Sequence, residues 1–559
     1  MKKTEIIKKI IPYVFLVILA IIICLPLIKK DLDITRDDGI QHICRLIGTH
    51  DSIKEGQIFP VIMSSFCNGF GYNWNTFYSP FTAIVPLIFG IITTDYVIIL
   101  KLFLFCSILF SGITMFWFAK DFCKNEKAGI LISSIYMLAP YHLTDMYLRV
   151  AVAEFTSFIF IPLVFLGLYN IFNQNYKKSS YLIIGAVGLI LTHTLSCLLV
   201  AIFGFIYVLI NIKKLKDKKI LQSLIYCTVL IILCSSIFIL PLLEYKNSAT
   251  YEVFVPGRME RGDVLVNNKL SFYQLFYTSN NDTLVFEIGL ITIIGLLLTP
   301  IVIDKKVLEK KQKNTYYFFY VSGIIACLIT LKFFPFEKLP DFIKMLQFPW
   351  RMLEIAVFFF SIVAGFNFSL LIKNFSWKDV GVIIAINVIL TGVSIIPKLE
   401  YKKIDISQYI PALPLTSNTG RVHGGMASLE YMPTKAFKNR SYIETRDQKV
   451  HVITGEANIK EEKKQNTTLY FKLNTKKGTK LELPYLFYPG YTVLIKEDSN
   501  NYYPPLFETE NGMIGVQIDK DIENAEVFVK FTGTRIMMIS YILTAIGLIL
   551  TIIYFKKIK

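Results

Sequence analysis

The first polar stretch of the chain reads Asp31-Leu-Asp-Ile-Thr-Arg-Asp-Asp-Gly-Ile-Gln-His42 and crowds Arg36, Asp37, Asp38 and His42 together. Asp38 and His42 are four residues apart, so a helix would put them on one face. A carboxylate there could take the proton of an acceptor hydroxyl as general base, or ligate a divalent metal ion. The same Asp-Asp-Gly could serve as a helix cap or turn. A second group lies in Tyr141–Glu154, where Arg149 and Glu154 fall at or inside an apolar boundary beside His142, Asp145 and Tyr147. Ionisable groups at that depth are costly, and they face a cavity or pair together. Five residues do not align Arg149 and Glu154 on one helical face. Structural pairing is one reading, and a phosphate clamp through the planar fork of Arg149 is the other.

His193 interrupts a long apolar stretch as Leu191-Thr-His-Thr-Leu195, either as a packed, hydrogen-bonded residue or as part of a site. Phe348-Pro-Trp-Arg351 opens another apolar run. Trp350 and Arg351 could hold an anionic lipid head or a sugar, or anchor an interface, and Arg351 is spaced for an i,i+3 pair with Glu354. Gly56-Gln-Ile-Phe-Pro60, Asn68-Gly-Phe-Gly-Tyr72, Trp74, Phe77 and Tyr78 read best as an aromatic belt at the membrane–water boundary. No P-loop, HExxH, GxSxG or dinucleotide fingerprint is present, which disfavours cytosolic nucleotide chemistry.

These groups must be positioned by membrane helices. Of 559 residues, 53% are hydrophobic and only 18% charged, too little charge for the surface of a soluble chain of this size. Apolar runs at 10–28, 95–119, 128–140, 152–172, 180–193, 195–211, 219–243, 285–303, 315–334, 351–372, 378–396 and 535–555 predict about twelve spans, the short ones tilted or re-entrant. Segment 81–92 is apolar but breaks the charge pattern as a full span, so it reads as re-entrant or interfacial. The net charge of +17 resides largely in lysine clusters between the runs, at 120–127, 177–178, 213–219, 305–313, 373–378 and 556–559. Placing these with the N-terminus in the cytoplasm satisfies the positive-inside rule and leaves 29–80, 141–151, 244–284, 335–350 and 397–534 outside. Charge so distributed fits contact with membrane lipid and not nucleic acid. Nine cysteines without a CxxC pair predict neither a disulfide framework nor a zinc site.

Residues 397–534 differ in kind. Short alternating runs at Lys449–Thr454, Thr468–Leu473, Tyr491–Ile495 and Ala525–Phe531, separated by Gly, Asn, Asp and Pro, predict a β-sandwich-like extracytoplasmic domain tethered to helices at both ends. The expected fold is thus a polytopic α-helical membrane protein with an outer β-rich domain.

Taken in order, Asp37-Asp-Gly-Ile-Gln-His42, Gly56-Gln-Ile-Phe-Pro60, Gly69-Phe-Gly-Tyr72, Tyr147-Leu-Arg-Val-Ala-Val-Ala-Glu154, Leu191-Thr-His193, Phe348-Pro-Trp-Arg351 and Leu483-Pro-Tyr-Leu-Phe-Tyr-Pro-Gly-Tyr491 carry a resemblance. Together they resemble the bacterial membrane proteins named for a 6-pyruvoyl-tetrahydropterin-synthase-related domain, a group similar to YfhO-like proteins. The resemblance implies a GT-C-like fold and transfer of a sugar from a polyprenyl-phosphate carrier to a cell-envelope polymer or lipid. It implies a catalytic acid residue in the first outward loop, where Asp37 and Asp38 are the matching positions. Asp38 is preferred because it opens the Asp-Gly-x-x-His pattern. Arg149 and Arg351 would then hold phosphate, and His42, Glu154, His193 and Trp350 would shape the substrate site. Many GT-C enzymes use a second acidic position or a divalent metal ion, for which this chain shows no unambiguous equivalent. The alternatives are a transporter or flippase for an envelope precursor, and a non-catalytic envelope assembly protein.

Overall fold

The computed structural model describes residues 3–255, 262–340, 343, 346–405, 429–497 and 500–557. Arg258, Glu260 and Arg261 of the expected outward loop 244–284 lie outside the described residues. Fourteen helices carry the argument: α1 (Lys3–Ile23), α2 (Gly39–Lys54), α3 (Tyr96–Cys123), α4 (Glu126–Met137), α5 (Val152–Ser157), α6 (Ile161–Phe172), α7 (Ser180–Thr192), α8 (Thr194–Ile210), α9 (Lys218–Ser248), α10 (Leu290–Leu297), α11 (Lys310–Ile329), α12 (Met352–Leu371), α13 (Trp377–Ile395) and α14 (Arg535–Lys557). Among the described residues six helices are long and apolar enough to cross a membrane: Tyr96–Cys123, Val152–Phe172, Lys218–Ser248, Pro349–Leu371, Trp377–Lys398 and Arg535–Lys556. The chain is a membrane-associated helical protein. Segment 81–92 folds as two short pieces, Phe81–Ile84 and Val85–Ile91.

Burial separates these helices into a centre and a periphery. Val152–Phe172 and Pro349–Leu371 are buried almost throughout, whereas Lys218–Ser248, Trp377–Lys398 and Arg535–Lys556 leave most of their apolar side chains uncovered. An apolar helix face that meets no protein is stable in lipid, which has no water to exclude. The centre is filled by aromatic rings: Phe118 and Phe165 from α3 and α6 meet Phe319 of α11 and Phe358 of α12 at centroid distances of 5.1–6.1 Å. Small residues set the closest approaches. A Cβ on Gly295 of α10 would come within 2.5 Å of the Ala364 Cβ on α12, and one on Gly547 of α14 within 2.8 Å of Leu233 on α9.

The C-terminal β domain has two antiparallel sheets. Counting the two-residue ladder β1 (Ile62–Met63) and β2 (Tyr72–Asn73) of the first loop, its strands are β3 (His451–Thr454), β4 (Ala457–Gln465), β5 (Thr468–Thr475), β6 (Lys480–Leu486), β7 (Tyr491–Glu497), β8 (Asn500–Tyr502), β9 (Leu506–Glu508), β10 (Met513–Gln517) and β11 (Ile522–Phe531). One sheet has the order β3-β6-β10-β9 and the other β4-β5-β11-β7-β8. Strand β5 alternates strictly between buried and half-buried residues, the signature of a strand with one face on a core.

The aromatic residues of the first loop do not form a surface belt. Phe70, Tyr72, Trp74 and Phe77 are buried in one core with Tyr431, Tyr485, Tyr488 and the sheet interior. Phe77 stacks on Tyr431 at 5.2 Å, the Tyr72 hydroxyl accepts from the Tyr431 N–H, and the Leu486 N–H donates to the Phe70 carbonyl. The belt expectation fails because amphipathic rings suit any boundary between apolar and polar matter. Here that boundary is with the β domain.

Replacing Gly295 by Val should lower thermal stability by about 1–3 kcal/mol, because the α12 backbone blocks any relief. Gly381, whose Cβ would meet nothing within 4 Å, should accept Ala without loss. Unfolding midpoints in detergent check both.

Candidate functional site

The side chains singled out from sequence converge where the first loop meets the centre of the bundle. Asp38 is the residue immediately before α2, and its N–H donates to the Arg149 carbonyl at 3.1 Å. Gly39 follows because nothing larger fits: a Cβ there would lie 2.0 Å from the Ile34 carbonyl oxygen and 3.1 Å from the Val150 Cβ. The partner turn is equally forced. Thr144–Leu148 is a single turn of π-helix, and Val150 takes φ +47°. Left-handed backbone is strained for a β-branched side chain. Asp37 (φ +45°) and Gln347 (φ +64°) are two more non-glycine residues in that region. Three such residues around one cluster mark a site whose geometry is imposed by its surroundings.

Glu154 stands at the middle, almost fully buried at the start of α5. Its Oε1 accepts from the Tyr141 hydroxyl at 2.5 Å. Its Oε2 accepts from Arg149 Nη1 at 3.0 Å and from Arg351 Nε at 3.2 Å. Arg149 Nη1 also donates to Asp145 Oδ1 at 2.6 Å, and Arg351 Nη1 donates to the Leu346 carbonyl and Gln347 Oε1. The five-residue spacing of Arg149 and Glu154 proves compatible with pairing because the helix breaks between them. The i,i+3 pair of Arg351 with Glu354 does not form. Arg351 belongs to a 3-10 turn ahead of α12 (Pro349–Arg351) and bonds Glu154 instead.

Glu354 turns to a different chain. Its Oε2 accepts from the Ser196 hydroxyl at 2.6 Å, and Ser196 Oγ lies 2.7 Å from His193 Nδ1. His193 Nδ1 also caps α8 by accepting from the Ser196 N–H at 3.4 Å, which places the imidazole proton on Nε2. His193 stands at the break between α7 and α8, in the field of Arg351, Glu154 and Arg149.

Asp38 is half-buried and in the field of Arg149, Arg351 and Glu154. Burial pushes its carboxyl above the ordinary 3.8, and the two arginines offset this only in part. Asp37 is exposed. His42, one turn into α2, is pushed down to about 3 by burial with Arg45 and His193 near it, so it is neutral at physiological pH. Trp350 is turned away from the ion pairs. Its ring lies between Phe348 at 4.6 Å and Phe286 at 4.9 Å.

Among the described residues no three His, Cys, Asp or Glu side chains are gathered to hold a metal ion. Glu154 Oε2 and Asp145 Oδ1 already accept from the arginines. An apolar groove of about 1040 Å³ runs between α8 and α11, lined by Leu198, Ile202, Phe203, Phe318, Val321 and Ile325. Its lining also includes Leu195 and Met352, the chain neighbours of Ser196 and Arg351, and Leu346, whose carbonyl accepts from Arg351. Sequence reasoning missed Arg45, Asn75, Tyr141 and Ser196. Arg45 was findable, since Asp38, His42 and Arg45 follow the 4-3 spacing of one helical face.

No family model matches the chain. A protein of Lactococcus lactis subsp. cremoris (strain MG1363), described as uncharacterized, is 26% identical over 251 residues. The match spans 43% of this chain and 41% of that protein, well under two thirds of its length.

Glu154→Gln should cost about 3–5 kcal/mol, because it leaves Arg351 buried without its carboxylate and Arg149 with Asp145 alone. Detergent-solubilised thermal unfolding measures it, and a loss below about 1 kcal/mol would show that the three charges do not form a hub.

Proposed function

We propose that this protein transfers a sugar from a polyprenyl-phosphate carrier to a cell-envelope polymer or lipid, by GT-C-type chemistry at the outer face of the plasma membrane. The observation that supports it best is the apolar groove whose lining includes Leu346 and Met352, the first bonded to Arg351 and the second next to it in the chain. A prenyl chain needs a long hydrocarbon-lined channel, and its head group needs cationic and polar groups at one end. In this reading the chain crosses the bilayer about twelve times, the shorter apolar helices Thr194–Ile210 and Leu290–Asp304 among the crossings. Both termini face the cytoplasm and residues 397–534 face outward, as the lysine clusters favour. The resemblance to YfhO-like proteins points the same way.

Asp38 is the base. Its carboxyl pKa, raised by burial, makes it a better proton acceptor than an exposed carboxylate. It draws the proton from the acceptor hydroxyl as that oxygen attacks the anomeric carbon, and the carrier phosphate leaves toward Arg351. Arg149 and Glu154 hold Arg351 and the Asp38 turn in register. His193, its Nδ1 held at Ser196, shapes the site from the break between α7 and α8. Bundle and β domain close over the site and exclude water.

Asp38→Asn should lower transfer at least about 100-fold, measured as release of prenyl phosphate from labelled polyprenyl-phosphate hexoses in membranes. Full activity in both Asp37→Asn and Asp38→Asn would sink the assignment. The same substitution should preserve or raise thermal stability. A carboxyl whose folded pKa exceeds its unfolded value contributes most below the unfolded pKa, and that contribution is lost as pH rises through the folded one. The rate should accordingly fall as pH drops through a value above 3.8.

A further inference from the structure

Arg45 lies on the inward face of α2, 1% exposed, and every acceptor the structure gives it is neutral. Its Nε donates to Asn75 Oδ1 at 2.9 Å, and its Nη2 donates to the Tyr78 and Ser79 carbonyls, each at 2.8 Å. Asn75 cannot turn away, because its Nδ2 is spent on Thr49 Oγ1 and the Pro60 carbonyl. Nη1 is buried with no partner, and so is Nδ1 of His42 one turn earlier. The Tyr78 ring covers the guanidinium, 4.6 Å from its Cζ. This differs from Arg149 and Arg351, which share the carboxylate of Glu154.

A buried cation with no counter-ion is costly unless something else supplies negative charge. Neutral carbonyls and a π face compensate in part. They account for Nε and Nη2, and neither explains a guanidinium edge and an imidazole nitrogen left unbonded side by side. Pinning the loop would need a hydrogen-bond donor there, but not a permanent charge. Burial with no acid beside it pushes Arg45 down to about 10, still fully charged at physiological pH.

We propose that Arg45 and His42 form a binding site for a phosphoryl anion, beneath the Tyr78 ring. One oxygen accepts from Arg45 Nη1 and another from His42 Nδ1–H, and the Asn75-held fork stays in place. Its Arg45 end is seven residues, about 10 Å along the helix axis, from Asp38, and its His42 end four. Tyr78 lies between, in the field of Asp38, Arg45, Arg351 and Glu154. Only the choice of phosphate over carboxylate rests on the glycosyl-transfer reading. The phosphate belongs either to the prenyl carrier or to a phosphate-bearing acceptor.

The test uses the full chain in detergent, with sodium phosphate replacing sodium chloride at constant ionic strength and farnesyl phosphate compared with farnesol. Both phosphates should raise the unfolding midpoint as ligands of the native state, and farnesol should not. Arg45→Gln should weaken half-saturation at least about tenfold. Should that variant fail to fold, Arg45→Lys keeps the charge, loses the planar fork and should weaken binding in the same direction. Equal shifts in wild type and variant, or no shift in wild type, would overturn the site. Tighter binding of farnesyl phosphate that Ile325→Trp abolishes by filling the groove assigns the anion to the carrier. Equal binding of both phosphates, insensitive to Ile325→Trp, supports the site and assigns it to the acceptor. No transfer is read, so the site can stand if Asp38→Asn leaves transfer intact.

Discussion

Two guanidinium groups buried against one carboxylate form the constraint on which the rest of this structure depends. Arg149, Glu154 and Arg351 come from a strained turn, the first turn of a central helix and the start of another, 202 residues apart at the widest. Burying three charges costs several kcal/mol each unless they are paired and hydrogen-bonded to completion. Tyr141, Asp145, Gln347 and the Leu346 carbonyl supply those bonds. The network thereby fixes where Pro349–Leu371 begins relative to Val152–Phe172. It also holds the left-handed Val150, whose neighbour's carbonyl in turn takes the Asp38 N–H. The position of the candidate base is thus a consequence of the ion pairs.

The β domain completes the same constraint from outside. Buried charge remains paired only where water is kept away, and the loop that carries α2 has little apolar surface of its own. Its aromatic residues gain their burial from the sheet, with Tyr488 donating to the Tyr431 carbonyl and Tyr245 to that of Pro489. Asp33 of the same loop pairs with Lys402 at 2.8 Å, tying the loop to the segment leaving α13. Loop, bundle and domain therefore bury a common core, and residues 59–78 are ordered by a domain more than 350 residues later in the chain.

What could be read from sequence follows from which interactions are local. The long apolar helices declare themselves by length and composition, and the alternating runs at 468–473, 491–495 and 525–531 coincide with β5, β7 and β11. Strand β4 was illegible for a physical reason. Ala457–Gln465 carries Lys460, Glu461, Glu462, Lys463 and Lys464 at the sheet edge, where charge discourages further pairing and erases the alternation. At the candidate site the residue types were visible and their partners were not. Arg351 with Glu354 was the local expectation, yet a 3-10 turn of three residues redirects the side chain to Glu154. Trp350 looked available for a ligand until Phe286 and Phe348 claimed its ring. The aromatic loop residues were assigned to lipid because nothing local distinguishes a membrane boundary from a protein core.

The distribution of charge suggests a division of labour among three arginines. Asp38, Asp145, Glu154 and Glu354 surround Arg149 and Arg351, so the field there is balanced by carboxylates and varies with their protonation. Such a cluster is suited to holding geometry and to setting how readily a carboxylate takes a proton. Each positive group there is already matched, so a leaving phosphate would meet Arg351 by hydrogen bonding and not by unbalanced charge. Arg45, further along the same helical face and facing only neutral acceptors, is the group proposed to take the phosphoryl anion. A site that must both ionise a base and receive a phosphate gains by separating the two tasks, because an anion placed against the base would itself raise the base's pKa. Four to seven residues of chain provide that separation, with the Tyr78 ring against both His42 and Arg45.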